Sequence, residues 1–198
     1  MNNRGFTLLE MMMAVAIFTM VMGTLLTLSL TFANTAELQE LRITNTDEVR
    51  RAFLGITPIL RQASRNSVNW NELPGDRVTF RSATDLDGNG FAIDISGKIE
   101  LSGQLAIERD RTDANNDGVT MSQLVLILDN GDVRVLANGL QDDPVPAGAG
   151  ADIPDGVGFW VAPEGNGLRV TIRTEGTTRR GRVFTTIVSE FIVPRNTN

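Results

Sequence analysis

Arg4-Gly5-Phe6-Thr7-Leu8-Leu9-Glu10 opens the stretch that decides the fold, and the apolar run behind it, Met11 to Phe32, carries no charge. At about 1.5 Å per residue those 22 residues reach about 33 Å as a helix, which matches a bilayer hydrocarbon core of about 30 Å. The segment is long enough to cross a membrane. Glu10 is the anomaly in it, because an acid at the centre of such a helix costs roughly 2.5–3.5 kcal/mol on insertion scales and an acid near its end still calls for a partner. No basic residue within the run provides one, and Arg4 stands on the far side of Gly5 at the membrane face.

These residues resemble the class III signal of type IV prepilins and type II secretion pseudopilins, whose consensus Gly-Phe-Thr-Leu-Leu-Glu stands at Gly5 to Glu10 without a mismatch. The resemblance implies cleavage after Gly5 by a membrane-embedded prepilin peptidase and N-methylation of the new first residue, Phe6. It also implies assembly roles for Thr7 and Glu10, the glutamate pairing with the free amine of a neighbouring subunit. The physics agrees: cleavage places a positive amine at the membrane boundary, where it neutralises a carboxylate from an adjacent helix in a low-dielectric bundle. The plainer alternative is a signal anchor that happens to carry a Glu. A secretory signal is rejected, since its small-residue cleavage site should follow the apolar region and Ala14-Val15-Ala16 lies deep inside it. Arg4 before the span, and Glu37 and Glu40 as the first charges after it, orient the amino end toward the cytoplasm.

With leader and span subtracted, a chain of 198 residues leaves room for one soluble domain. A net charge of -6 argues against general affinity for nucleic acid. Cysteine and histidine are both absent. That excludes disulfides, Ser-His-Asp and Cys-His nucleophile systems and zinc sites built on Cys or His, so the sequence reads as structural and not enzymatic.

Within the span, Thr19, Gly23, Thr27 and Thr31 recur every four residues and form a ridge of small side chains against which another helix could pack, a pattern also common by chance. Beyond it Leu38, Leu41, Asn45, Val49, Ala52, Phe53, Ile56, Leu60 and Ala63 fall three or four apart, predicting an amphipathic helix laid on a domain. Gly55 and Pro58 predict a kink or break near residues 54–58. Strands are expected at Val78 to Arg81, Phe91 to Ile95, Lys98 to Leu101, Leu105 to Arg109, Leu124 to Leu128 and Val133 to Ala137. Three longer ones follow at Val157 to Ala162, Leu168 to Thr174 and Val183 to Val193, with Gln141 to Pro154 an exposed loop. Asp129-Asn130-Gly131-Asp132 reads as a hairpin turn.

The expected fold is therefore α+β and pilin-like, with one long N-terminal helix, its first half transmembrane and its second amphipathic, packed on an antiparallel sheet. Its expected divisions are a leader at 1–5, a membrane or filament-core helix at 6–32, an amphipathic continuation at 33–65 and a periplasmic β-rich domain at 66–198. This order, with a late Val157-Gly158-Phe159-Trp160-Val161 strand and a closing strand ending Val193-Pro194-Arg195-Asn196, looks like that of J-type minor pseudopilins and W-type minor pilins. That resemblance implies a low-copy subunit anchored in the bacterial inner membrane that primes filament assembly near the tip with other major and minor subunits. K-type tip subunits typically lack the glutamate, so Glu10 implies a place beneath another subunit.

Two acidic stretches carry a second idea. Asp85, Asp87 and Asn89 with Gly90, and Asp113, Asn115 and Asp117 with Gly118, match the opening half of a calcium loop. Ser96 and Leu124 stand where the closing Glu belongs, and turns favour the same residues, so calcium and simple turns both remain readings. No other cofactor is expected. Thr177-Thr178-Arg179-Arg180-Gly181-Arg182 is a basic hairpin tip; a filament-borne binding subunit for adhesion or DNA uptake is the alternative function, but three arginines without an aromatic neighbour make a thin nucleic-acid footprint. Trp70 and Trp160 read as core or interface residues.

Overall fold

The computed structural model describes residues 7–144, 146 and 148–195. The chain forms two compact units that divide between Leu41 and Arg42. Helix α1, Leu8–Gln62, is continuous over 55 residues and belongs to both. In the first unit every residue from Thr7 to Phe32 is exposed, so an apolar helix long enough to cross a membrane has no protein covering it in the single subunit.

In the second unit α1 buries Asn45, Val49, Ala52, Phe53, Ile56 and Leu60, the stripe that its three-and-four spacing prescribes. Strands β1 (Arg77–Phe80), β2 (Leu105–Arg109), β3 (Leu124–Ile127) and β4 (Val133–Ala137) form an antiparallel sheet in chain order. A second antiparallel sheet holds β5 (Phe159–Glu164), β6 (Gly167–Thr177) and β7 (Val183–Ile192), also in chain order. Single bridges at Gly75 with Val161 and Leu140 with Thr174 join the two sheets, and one core takes in the helix stripe, Val78, Phe80 and Ile107 from the first sheet, and Phe159, Val170 and Ile172 from the second.

Pro58 does not break α1. An interior proline costs a helix about 3 kcal/mol, whereas full burial of each of Phe53, Ile56 and Leu60 is worth about 1.5–3 kcal/mol, so packing wins. The carbonyl left without its helical donor belongs to Leu54, whose side chain is 69% exposed on the wetted side. Gly55 is a close approach to the sheet, since a Cβ there would lie 3.1 Å from Leu136 Cδ2.

Phe91 to Ile95 and Lys98 to Leu101 are not strands; isolated bridges join Ile93 to Ile99 and Ala83 to Leu101. Asp94 Oδ1 accepts from the backbone N–H groups of Ser96 and Lys98 and folds the chain into a turn, and Phe91 and Ile95 point to solvent, so no burial supports a ladder there. The Asp129–Asp132 hairpin closes as expected, with Gly131 at φ 88° and Leu128 N donating to Asp132 O at 2.8 Å. The 141–154 loop is largely exposed yet tied down: Ile153 packs against the buried Val157–Trp160–Ala162 cluster, and Arg109 and Arg173 donate to the carbonyls of Gln141 and Pro154.

Candidate functional site

The start of α1 is a reciprocal cap. Thr7 precedes the first helical residue, and its backbone N–H and its hydroxyl both donate to Glu10 Oε2, at 2.9 and 3.0 Å. Glu10 N donates back to Thr7 Oγ1 at 3.3 Å. Thr-x-x-Glu is the capping-box spacing, which satisfies donors that the first helical turn leaves open. In the single subunit Glu10 thus has a local partner three residues away. Reasoning from charge alone missed it, although the spacing is visible in the sequence. Gly5, Phe6 and Arg4 lie outside the described residues.

Along the same helix, Thr19, Gly23, Thr27 and Thr31 line one shallow groove with Met20, Thr24 and Leu28. The hydroxyls of Thr19, Thr27 and Thr31 donate to the carbonyls of Ala16, Gly23 and Thr27 at 2.8–2.9 Å. Each hydroxyl is satisfied within its own helix, so the ridge presents methyl groups and a bare glycine to whatever lies beside it.

The acidic stretches are closed by their own hydrogen bonds. Asp85 Oδ1 accepts from Gly88 N and Asn89 N, and Asp85 Oδ2 from Gly90 N; Asp87 Oδ1 accepts from Asn89 N. Glu100, which the twelve-residue spacing could not indicate, folds back so that its Oε2 accepts from Leu86 N at 2.6 Å. Among the described residues, Asp85, Asp87 and Glu100 each bring a carboxylate oxygen within 4.8 Å of the others. Oxygen ligands of that kind suit calcium, but Asp85 and Glu100 already take backbone donors. The Gly90 N–H is the main influence holding the Asp85 carboxyl below the usual carboxylate range.

In the second stretch Asp113 accepts from Asp117 N and Gly118 N, while Asp117 Oδ2 accepts from Asn115 Nδ2 and Gln123 Nε2. Asp113, Asn115 and Asp117 are brought together as turn partners. At the basic tip, Thr178 N donates to Arg182 O and Arg182 N to Thr178 Oγ1, closing the β6–β7 hairpin.

A family model described as the prokaryotic N-terminal methylation motif matches residues 1–26. The match covers the amino end and supports a processed subunit of the prepilin and pseudopilin type, anchored by its apolar helix. No curated protein and no solved structure shows significant similarity to the chain.

Proposed function

We propose that the chain is a minor pilin or minor pseudopilin, a structural subunit of a type II secretion pseudopilus or a type IV pilus. It is made as a precursor, cut after Gly5 by prepilin peptidase and methylated on Phe6. Residues 6–32 hold it in the inner membrane with its amino end cytoplasmic, 33–62 continue the helix, and 63–198 form the periplasmic domain. The observation that carries this reading is the uninterrupted Gly5–Glu10 consensus inside the matched methylation motif, set at the head of an uncovered apolar helix.

Glu10 links the local geometry to assembly. In the single subunit Thr7 supplies its hydrogen bonds but no positive charge. A neighbour's amine, created only by cleavage, supplies the charge, so docking of a processed subunit is favoured over lipid exposure of the carboxylate. The same pairing supports a place beneath another subunit, where the chain takes part in starting the filament near its tip. The Thr19–Gly23–Thr27–Thr31 ridge supports close packing of that neighbour's helix.

Mass spectrometry of the amino end tests the reading. Co-expression with the peptidase should give a chain beginning at a methylated Phe6. A chain still beginning at Met1 in cells with active peptidase would contradict it.

A further inference from the structure

Strand β7 is the open edge of its sheet: among the described strands it pairs only with β6, and none of the isolated bridges involves it. A free edge presents unpaired N–H and C=O groups, and proteins normally guard it with Lys, Pro or a bulge. Val183–Ile192 contains neither Lys nor Pro, and its register with β6 is unbroken. Its one charge, Glu190, accepts from Thr57 Oγ1. Val183, Ile187 and Phe191 are 46–58% exposed on one face, and Val188 is exposed on the other.

Beside this edge, between β7 and α1, runs a groove of about 740 Å³. Val49, Phe53, Leu54, Pro58 and Val188 contribute its apolar lining, and among the described residues Arg50, Arg61 and Arg195 stand against one acid, Glu190. The groove is thus cationic in a chain of net charge -6.

We infer that the β7 edge and this groove together dock an extended, acidic, alternately apolar segment of a partner protein, which adds to the sheet as a strand beyond β7. Backbone pairing along β7 supplies the register. Alternate side chains of the guest then fall into the groove or over Ile187 and Phe191. A second copy pairing through the same edge would set arginine rim against arginine rim, so charge selects an acidic guest over self-association. The inference rests on the assembly reading only for the source of that partner. Loss of guest binding would leave amino-end processing untouched, and an unprocessed amino end would leave this groove in place.

The test uses the full chain in detergent micelles and a fluorescent peptide of about eight residues alternating Val and Glu, a length suited to one strand. Three companion peptides accompany it: a Val-Lys alternation, and the Val-Glu peptide N-methylated on every second backbone nitrogen in each of the two frames. Saturable binding of the Val-Glu peptide is expected, about tenfold weaker for the Arg50→Glu/Arg61→Glu double variant. No binding of Val-Lys is expected, and binding should survive N-methylation in one frame only, because only one set of amides faces β7. Absence of Val-Glu binding, equal binding of Val-Lys, or identical behaviour of the two methylated frames would overturn the inference. So would a dimer of the chain that the Val-Glu peptide dissolves, which would make a second copy the occupant. The methylated pair leaves the protein unaltered, so its result does not depend on a variant folding.

Discussion

Asp76 accepts from two arginines, the fully buried Arg109 at 3.2 Å and the half-exposed Arg111. Removing one partner of a buried pair strands the other charge at a cost of about 3–5 kcal/mol, whereas apolar replacement of a pair is often nearly neutral. Asp76→Ala should therefore lower the melting temperature sharply, and Arg109→Met added to it should restore much of the loss; a double variant worse than the single would contradict this account. Glu108 is a different case. Burial pushes its carboxyl above the usual range, opposed by Arg77 at 3.0 Å and by Arg111, with Asp76 and Asp110 adding to the rise. A folded pKa above the unfolded one means that the ionised form costs stability, a cost absent in acid and complete once pH exceeds the folded pKa. Glu108→Gln should raise the melting temperature at neutral pH and leave it unchanged in acid, which thermal denaturation at the two pH values checks.

At the scale of elements, α1 depends on a tight fit where it crosses β4. Gly55→Val should destabilise by about 1–3 kcal/mol, because a Cβ already meets Leu136 Cδ2 at 3.1 Å and two further carbons need space; a more stable variant by denaturant unfolding would show that Leu136 moves freely aside. Most of this helix was legible beforehand, since the apolar run and the Asn45–Leu60 stripe are periodic and need only local reading. The break expected at Pro58 is absent because local propensity is silent on what Ile56 and Leu60 bury across the chain. The loop between Ala83 and Leu101 misled for the converse reason: Phe91, Ile93 and Ile95 alternate like a strand, but nothing is buried behind them. In the candidate site, the ligand-like spacing of Asp85, Asp87 and Asn89 was readable, while the approach of Glu100 depends on where the returning chain happens to run. Since Asp85 and Glu100 are already engaged by backbone donors, millimolar calcium should leave the melting temperature of the chain unchanged. A rise of several degrees would contradict the turn reading and assign the loop a metal.

For the molecule as a whole, acid is the sensitive direction. Asp85, Asp94 and Asp117 are held below the usual carboxylate range chiefly by Gly90 N–H, the Ser96 hydroxyl and the Gln123 amide respectively. A lowered folded pKa gives stability that is present above the unfolded value, about 3.9 for Asp, and is lost as pH falls through the folded one. Fraying of the 84–101 and 110–123 loops should accordingly begin below about pH 4, seen by hydrogen exchange, before the core melts. Above that range the proposed assembly is the structural question, and Glu10 is the residue that tests it. Gln at that position keeps the capping-box geometry with Thr7 but removes the charge, whereas Ala removes both. The direct measurement is the amount of each variant, Glu10→Gln and Glu10→Ala, incorporated into filaments sheared from cells with equal membrane levels of the subunit. Both are expected to fall about equally below the unaltered chain. Normal incorporation of Glu10→Gln would show that the cap, and not a charge awaiting a neighbour's amine, is what Glu10 provides.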